Sequence, residues 1–318
     1  METRTLIFTI LFLSIFSLAF SQTENQRKYL PGDYVGISGF IQSSQATESF
    51  STHFHSDDMY YDLYLDSPDY FLLKNRMSLR FRKRVPGDKK KAPSYAFQLK
   101  SEMDSLNSVR MEVEETELDF YMLKSEGKWI AMSVLLDSIF YYIDQNPEQP
   151  INARTSAAFE LITNWIAFKA GGAIAPFQKL LFLGFSLEEI QCLQPVTSGK
   201  TRRMRSHVYS TATQTNMLEV QKNRIKANKL PKFFKKKPDH NWLLESSLDM
   251  AVFFPLYPSK IKEARLSEYE VENKYHLPEV GEKLMAVYAK ELSDRFSLVA
   301  KLDSKYRQVI LAFGQLPK

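Results

Sequence analysis

The stretch "SEYEVENKY", residues 267–275, places Glu268, Glu270 and Glu272, then Lys274, at every second position. A β-strand sends successive side chains to opposite faces. One side of this segment therefore carries three carboxylates and an ammonium, and the other carries Tyr269, Val271 and Asn273. Like charges in a row repel unless water, a cation or facing basic groups compensate. Where the compensation lies decides what kind of sheet this strand belongs to.

Working outward, other segments show the same two-residue period. "TESFSTHF" (47–54), "MYYDLYLD" (59–66), "MSLRFRKR" (77–84), "SYAFQLKS" (94–101) and "VRMEVEETE" (109–117) read as successive strands. "RRMRSHVYS" (202–210), "MLEVQKNRI" (217–225) and "WLLESSLDMAVF" (242–253) resume the pattern. Between the two sets, "MSVLLDSIFYYI" (132–143), "AAFELITNWIAF" (157–168) and "APFQKLLFLGF" (175–185) run near the helical period. "GEKLMAVYAKEL" (281–292) and "SKYRQVILAF" (304–313) read as closing helices.

Parity sorts the charges. Arg80, Arg82 and Arg84 lie opposite Leu79, Phe81 and Val85, with Lys83 interrupting the apolar side. Arg110, Glu112 and Glu114 lie opposite Val109, Met111 and Val113. Lys100 follows Gln98, and Arg203 and Arg205 share a parity with His207. Glu245 and Asp249 lie opposite Leu244 and Leu248. A sheet with one wet face explains any single strand. Segregated runs of three arginines and three glutamates instead suit a closed barrel with an ion-filled lumen. The expected fold is α+β: an eight-stranded, closed antiparallel β-barrel, with a helical insertion over about 118–195 and C-terminal helices packed outside. Arginine rows would hold phosphates, and carboxylates beside them would hold a hard divalent cation such as magnesium.

The order "YYD", "LRFR", "QLK", "RMEVE", "RRMR", "SLD", "EYEVE", "SKY" resembles the CYTH domain, or triphosphate tunnel metalloenzymes, over residues 47–310. The resemblance implies phosphate-binding roles for Arg80, Arg82, Lys100, Arg110, Arg203 and Arg205. It implies catalytic roles for Glu112, Glu114, Glu270 and Glu272. Metal binding falls to Glu114, Glu270 and Glu272, with Glu48 and Glu268 as further candidates, and the ion would be Mg2+ or Mn2+. Asp62 and Asp249 would brace basic groups. That family opens with a Glu-x-Glu-x-Lys strand. The nearest counterpart in the strand pattern is "ESFST", where only Glu48 fits, so turnover is in question.

The chain of 318 residues is 44% hydrophobic and 25% charged, with a net charge of +5, ordinary values for a globular protein. Arg4, the apolar run 6–20 and "AFS" before Gln22 form a secretory signal, residues 1–21, which implies an exported, periplasmic or secreted protein. Residues 22–46 read as a polar leader and 47–318 as one domain. Cys192 is the only cysteine, so no internal disulfide is available.

"TSGKT" (197–201) lacks the earlier glycine of a nucleotide loop and reads as a turn. "HFHSDD" (53–58) reads as a polar strand edge rather than a metal site. The lysines at 89–91 and 229–237 read as soluble hairpin tips, and Phe233 and Phe234 among them leave membrane-surface contact open without favouring it. The expected ligands are inorganic triphosphate, polyphosphate or an organic triphosphate, with no nucleic acid. Three functions follow: a metal-dependent triphosphatase, a non-catalytic anion-binding module, or a structural or membrane-associated barrel.

Overall fold

The computed structural model describes residues 22–314 except 104–108, 120, 126, 147–151, 173, 211–241, 275–277 and 302. The targeting segment (1–21), the strand expected at 217–225 and the lysine cluster at 229–237 with its phenylalanines lie outside the described residues.

Nine antiparallel strands form the main sheet: β1 (Gln22–Leu30), β2 (Phe50–Asp66), β3 (Met77–Val85), β4 (Ser94–Met103), β5 (Val109–Glu117), β8 (Gln194–Ser210), β9 (Leu244–Pro255), β10 (Ala264–Asn273) and β11 (Val299–Lys301). Their order is β10-β9-β8-β2-β3-β4-β5-β1-β11. Strand β1 pairs with β5 through Gln22–Gln26 and with β10 through Gln26–Tyr29. The expected eight-stranded closed barrel is thereby corrected. The molecule has a nine-stranded sheet in which β1, next to the end strand β11, shares only a four-residue register with β10, short of a closed barrel. The nine residues of β1 are divided between its partners, Gln22–Gln26 on β5 and Gln26–Tyr29 on β10, so neither pairing runs the length of the strand.

The supposed leader is also corrected: 22–30 is sheet, and 34–42 is helix α1 (Tyr34–Gln42), capped by the Asp33 side chain. "ESFST" is not the first strand but the start of β2. "TSGKT" is strand interior rather than a turn.

Helix α2 (Phe71–Lys74) links β2 to β3. The insertion is a hairpin, β6 (Met122–Ser125) and β7 (Lys128–Ala131), followed by α3 (Met132–Gln145), α4 (Ala153–Lys169), α5 (Ala175–Phe182) and α6 (Leu187–Gln191). It covers the outer face of β3 and β4, where Leu79, Phe81, Phe97 and Leu99 pack with Ile139, Trp165 and Phe177. Lys83, the charge on that apolar side, is paired by Asp137 of α3 at 2.5 Å. On the opposite wall, α1 and α7 (Pro278–Phe296) cover Met204, Leu248, Tyr269 and Val271. Helix α8 (Lys305–Ala312) plugs one end of the interior, its Tyr306, Val309 and Ile310 packing with Tyr64 and Phe253. With both outer faces and one end filled by apolar packing, the inward polar residues are left around one space. Among the described residues, no helix is long and apolar enough to cross a membrane.

Candidate functional site

The inward faces converge on a cavity of about 330 Å³. Nine basic and five acidic side chains line it, an excess of positive charge that suits an anion. Strand β3 supplies Arg80, Arg82 and Arg84, β4 supplies Lys100, and β8 supplies Arg203 and Arg205. Lys28 of β1, Lys274 after β10 and Lys305 of α8 complete the basic set.

Buried carboxylates aim the arginines. Asp62 accepts two bonds from Arg82, both 2.7 Å, and lies 3.6 Å from Arg80. Arg80 also donates to the Tyr64 hydroxyl at 2.9 Å and to Gln98. Asp58 accepts from Arg84 at 2.9 Å and from Arg205 at 2.6 Å. Asp249 accepts from both arms of Arg203, the Nε bond measuring 2.6 Å. Burial pushes the Asp62 carboxyl up, but Arg80 and Arg82 outweigh it and hold the group at about 2. A guanidinium braced on one edge presents its remaining N–H groups in a fixed direction, as planar phosphate recognition requires.

The inward carboxylates fall into two groups. Asp249, Glu268 and Glu270 bring one oxygen each within 4.8 Å of one another. The Lys305 ammonium bonds Asp249 and lies 3.2 Å from Glu268 and 3.4 Å from Glu270. Arg203 is 2.8 Å from Glu270, and Lys301 is 3.0 Å from Glu268. The second group is Glu24, Glu245 and Glu272, with Glu272 opposite Gln26 on one side and Glu245 on the other. Lys100 bonds Glu24 at 2.7 Å, Lys274 bonds Glu272, and Arg205 approaches Glu245 at 3.7 Å. Burial pushes the Glu272 carboxyl up against the pull of Lys274; Glu24 and Glu245 add to the rise, to about 7.

Seven expected site residues line this cavity: Arg80, Arg82, Lys100, Arg203, Arg205, Glu270 and Glu272. Glu268 is fully buried behind it. Glu112 and Glu114 are corrections. They stand opposite Ser101 and Leu99, and Leu99 belongs to the outer core. Glu112 pairs with Lys179 of α5 at 2.6 Å. The inward residue of β5 is Glu115, which accepts from Gln98. "VRMEVEETE" carries glutamates at both parities, so alternation alone did not decide which set faces in. Arg110 shares the register of Glu112, opposite Met103 and Asn25, and its side chain lies outside the described residues. Glu48 is exposed, just before β2, and does not line the cavity.

Glu24, Gln26 and Lys28 were missed. They line the cavity from β1 as Glu-x-Gln-x-Lys, with glutamine where the family pattern has a second glutamate. This strand shows no apolar alternation, because outward Asn25 and Arg27 bond Glu282 of α7 instead of entering a core. The spacing of Glu24 and Lys28 was the only available signal. At the "HFHSDD" edge, a bulge interrupts β2 between Phe54 and Ser56, His55 stacks on His207, and Asp57 pairs with Arg202.

No family model matches the sequence, and no curated protein does. Among solved structures, the chain is similar to a Bacillus halodurans protein provisionally assigned as an adenylate cyclase. The identity is 13%, the TM-score 0.41, and the match covers 91% of this chain and 97% of that one. It is also similar to a Hippeastrum protein provisionally named an adenylyl cyclase and described as having dominant triphosphatase activity. There the identity is 14% and the TM-score 0.41, over 92% and 97% of the two chains.

Proposed function

We propose that the cavity binds a triphosphate or longer oligophosphate, and that the chain is a tunnel-type phosphate-binding protein. One observation carries this reading: Arg80, Arg82, Arg203 and Arg205 line a single cavity from β3 and β8, the two strands that flank β2, and each is braced from behind by a buried aspartate. Such guanidinium groups lose little freedom on binding and place positive charge before the ligand arrives. Lys28 and Lys100 extend the basic surface along the cavity.

A divalent Mg2+ or Mn2+ ion would be held by Glu24, Glu245 and Glu272, an all-oxygen donor set lining the cavity in which burial, with Glu24 and Glu245 adding to it, raises Glu272. Bound there with the ligand, it would supply charge neutralisation at the phosphoryl oxygens. The protein's own part is to bind and orient the chain of phosphates and to stabilise negative charge at the transferring group. Hydrolysis is the reaction such an arrangement supports. Glutamine at position 26 removes one carboxylate from the set, and this favours capture without turnover as the second reading. Export through residues 1–21 belongs to the same proposal, since cleavage before Gln22 would spare all of β1.

Calorimetric titration with inorganic triphosphate, with and without Mg2+ or Mn2+ and with released phosphate followed in parallel, tests the reading. Lys100→Met and Arg205→Met are each expected to weaken binding by roughly tenfold, as loss of a charge-assisted contact implies. Unchanged affinity in both folded variants would sink it. Metal-dependent release separates an enzyme from a capture module.

A further inference from the structure

We propose that Lys305 is the resident cation of the Asp249–Glu268–Glu270 nest, filling with an ammonium the place where three converging carboxylates would otherwise take a divalent ion. The three carboxylates face Arg203, Lys301 and Lys305, all within ion-pair distance, so the charges cancel. Lys28 stands directly across from Glu270 on β1 and adds a fourth positive charge. A divalent ion entering this buried space would meet net repulsion rather than a deficit of positive charge.

The lysine is also held in position. It is the first residue of α8, whose N-terminus is capped by Ser304. The next residue, Tyr306, stacks on Tyr64 at 5.0 Å and donates to Asp66 at 2.8 Å. The backbone that carries the ammonium is therefore fixed by the packed plug of the interior. Burial draws the Lys305 group down, but Asp249, Glu270 and Glu268 outweigh it and hold it above the ordinary lysine range, so it is charged at neutral pH. Both Glu268 oxygens are ion-paired at distance without an aligned hydrogen bond, which is the behaviour of a charge contact rather than a directional one. The sites for a metal and for a lysine are thereby divided between the two carboxylate groups. This division holds whether or not the cavity takes oligophosphate.

Titration of the purified chain with Mn2+, reading free ion by electron paramagnetic resonance, tests the role. Glu268→Gln is expected to bind as many Mn2+ ions as the wild type, and Lys305→Arg likewise. Lys305→Met is expected to bind one more per chain and to lose it again in combination with Glu268→Gln. A wild-type Mn2+ site that disappears in Glu268→Gln would overturn the proposal, as would a folded Lys305→Met with no added ion. If Lys305→Met does not fold, the comparison of wild type with Glu268→Gln decides. A separate titration with inorganic triphosphate shows whether the anion reading fails independently.

Discussion

Asp62 illustrates how one residue sets the behaviour of its neighbours. Its carboxylate is buried, grips Arg82 through both oxygens and sits within ion-pair distance of Arg80. Removing one partner of a buried pair leaves the other charge without compensation, so Asp62→Ala is expected to lower stability by about 3–5 kcal/mol in urea unfolding. The pH dependence follows from the same pair. The folded-state pKa lies near 2, below the ordinary aspartate value of 3.8. The stabilisation is therefore present above about pH 4 and is lost as pH falls through about 2. The acid limb of the unfolding profile is expected to be shallower in Asp62→Ala than in the wild type. An identical limb in both would show that Asp62 is not held ionised by the arginines.

At the scale of the element, β8 and β1 show opposite ways of making a strand fit. In β8, Gly199 faces Phe253 across the sheet, and a Cβ there would lie 2.3 Å from the ring. Phe253 is fully buried among Tyr64 and the residues of α8, so the ring has little room to retreat. Gly199→Ala is expected to cost about 1–3 kcal/mol as overpacking, visible as a lower thermal midpoint; an unchanged midpoint would mean that the plug yields easily. The glycine that suggested a turn thus answers to side-chain crowding. In β1 both faces are polar until Tyr29 enters the core, and the strand is fixed by hydrogen bonds to β5 and β10 and by the contacts of Asn25 and Arg27 with Glu282.

For the molecule as a whole, the curled sheet turns seven separate strands of modest charge into one concentrated field. Net charge over the chain is only +5, but the basic excess at the cavity is enclosed by low-dielectric walls, which focus the potential. Affinity for inorganic triphosphate is therefore expected to fall by on the order of tenfold between about 0.05 and about 0.5 M salt, by screening of the cavity charges. Salt-independent affinity would place the ligand elsewhere.

The alternation in β3, β4, β8 and β10 was sufficient to sort inward charge from outward core, because over 79–85, 97–100, 202–208 and 268–273 the apolar residues keep to one parity, with Lys83 as the one charge among them in β3. The helical insertion and the closing helices were legible for the same reason, their apolar period being long and local. Three features needed the folded chain. The first strand is polar on both faces over its first seven residues, β5 has glutamates at both parities, and the cation of the Asp249–Glu268–Glu270 nest comes from Lys305, 56 residues from Asp249. By itself the sequence determined which side chains share a face, since that follows from backbone geometry two residues at a time. Tertiary structure alone decided which face looks inward and which charge meets which, because burial and ion pairing depend on residues that only the fold brings together.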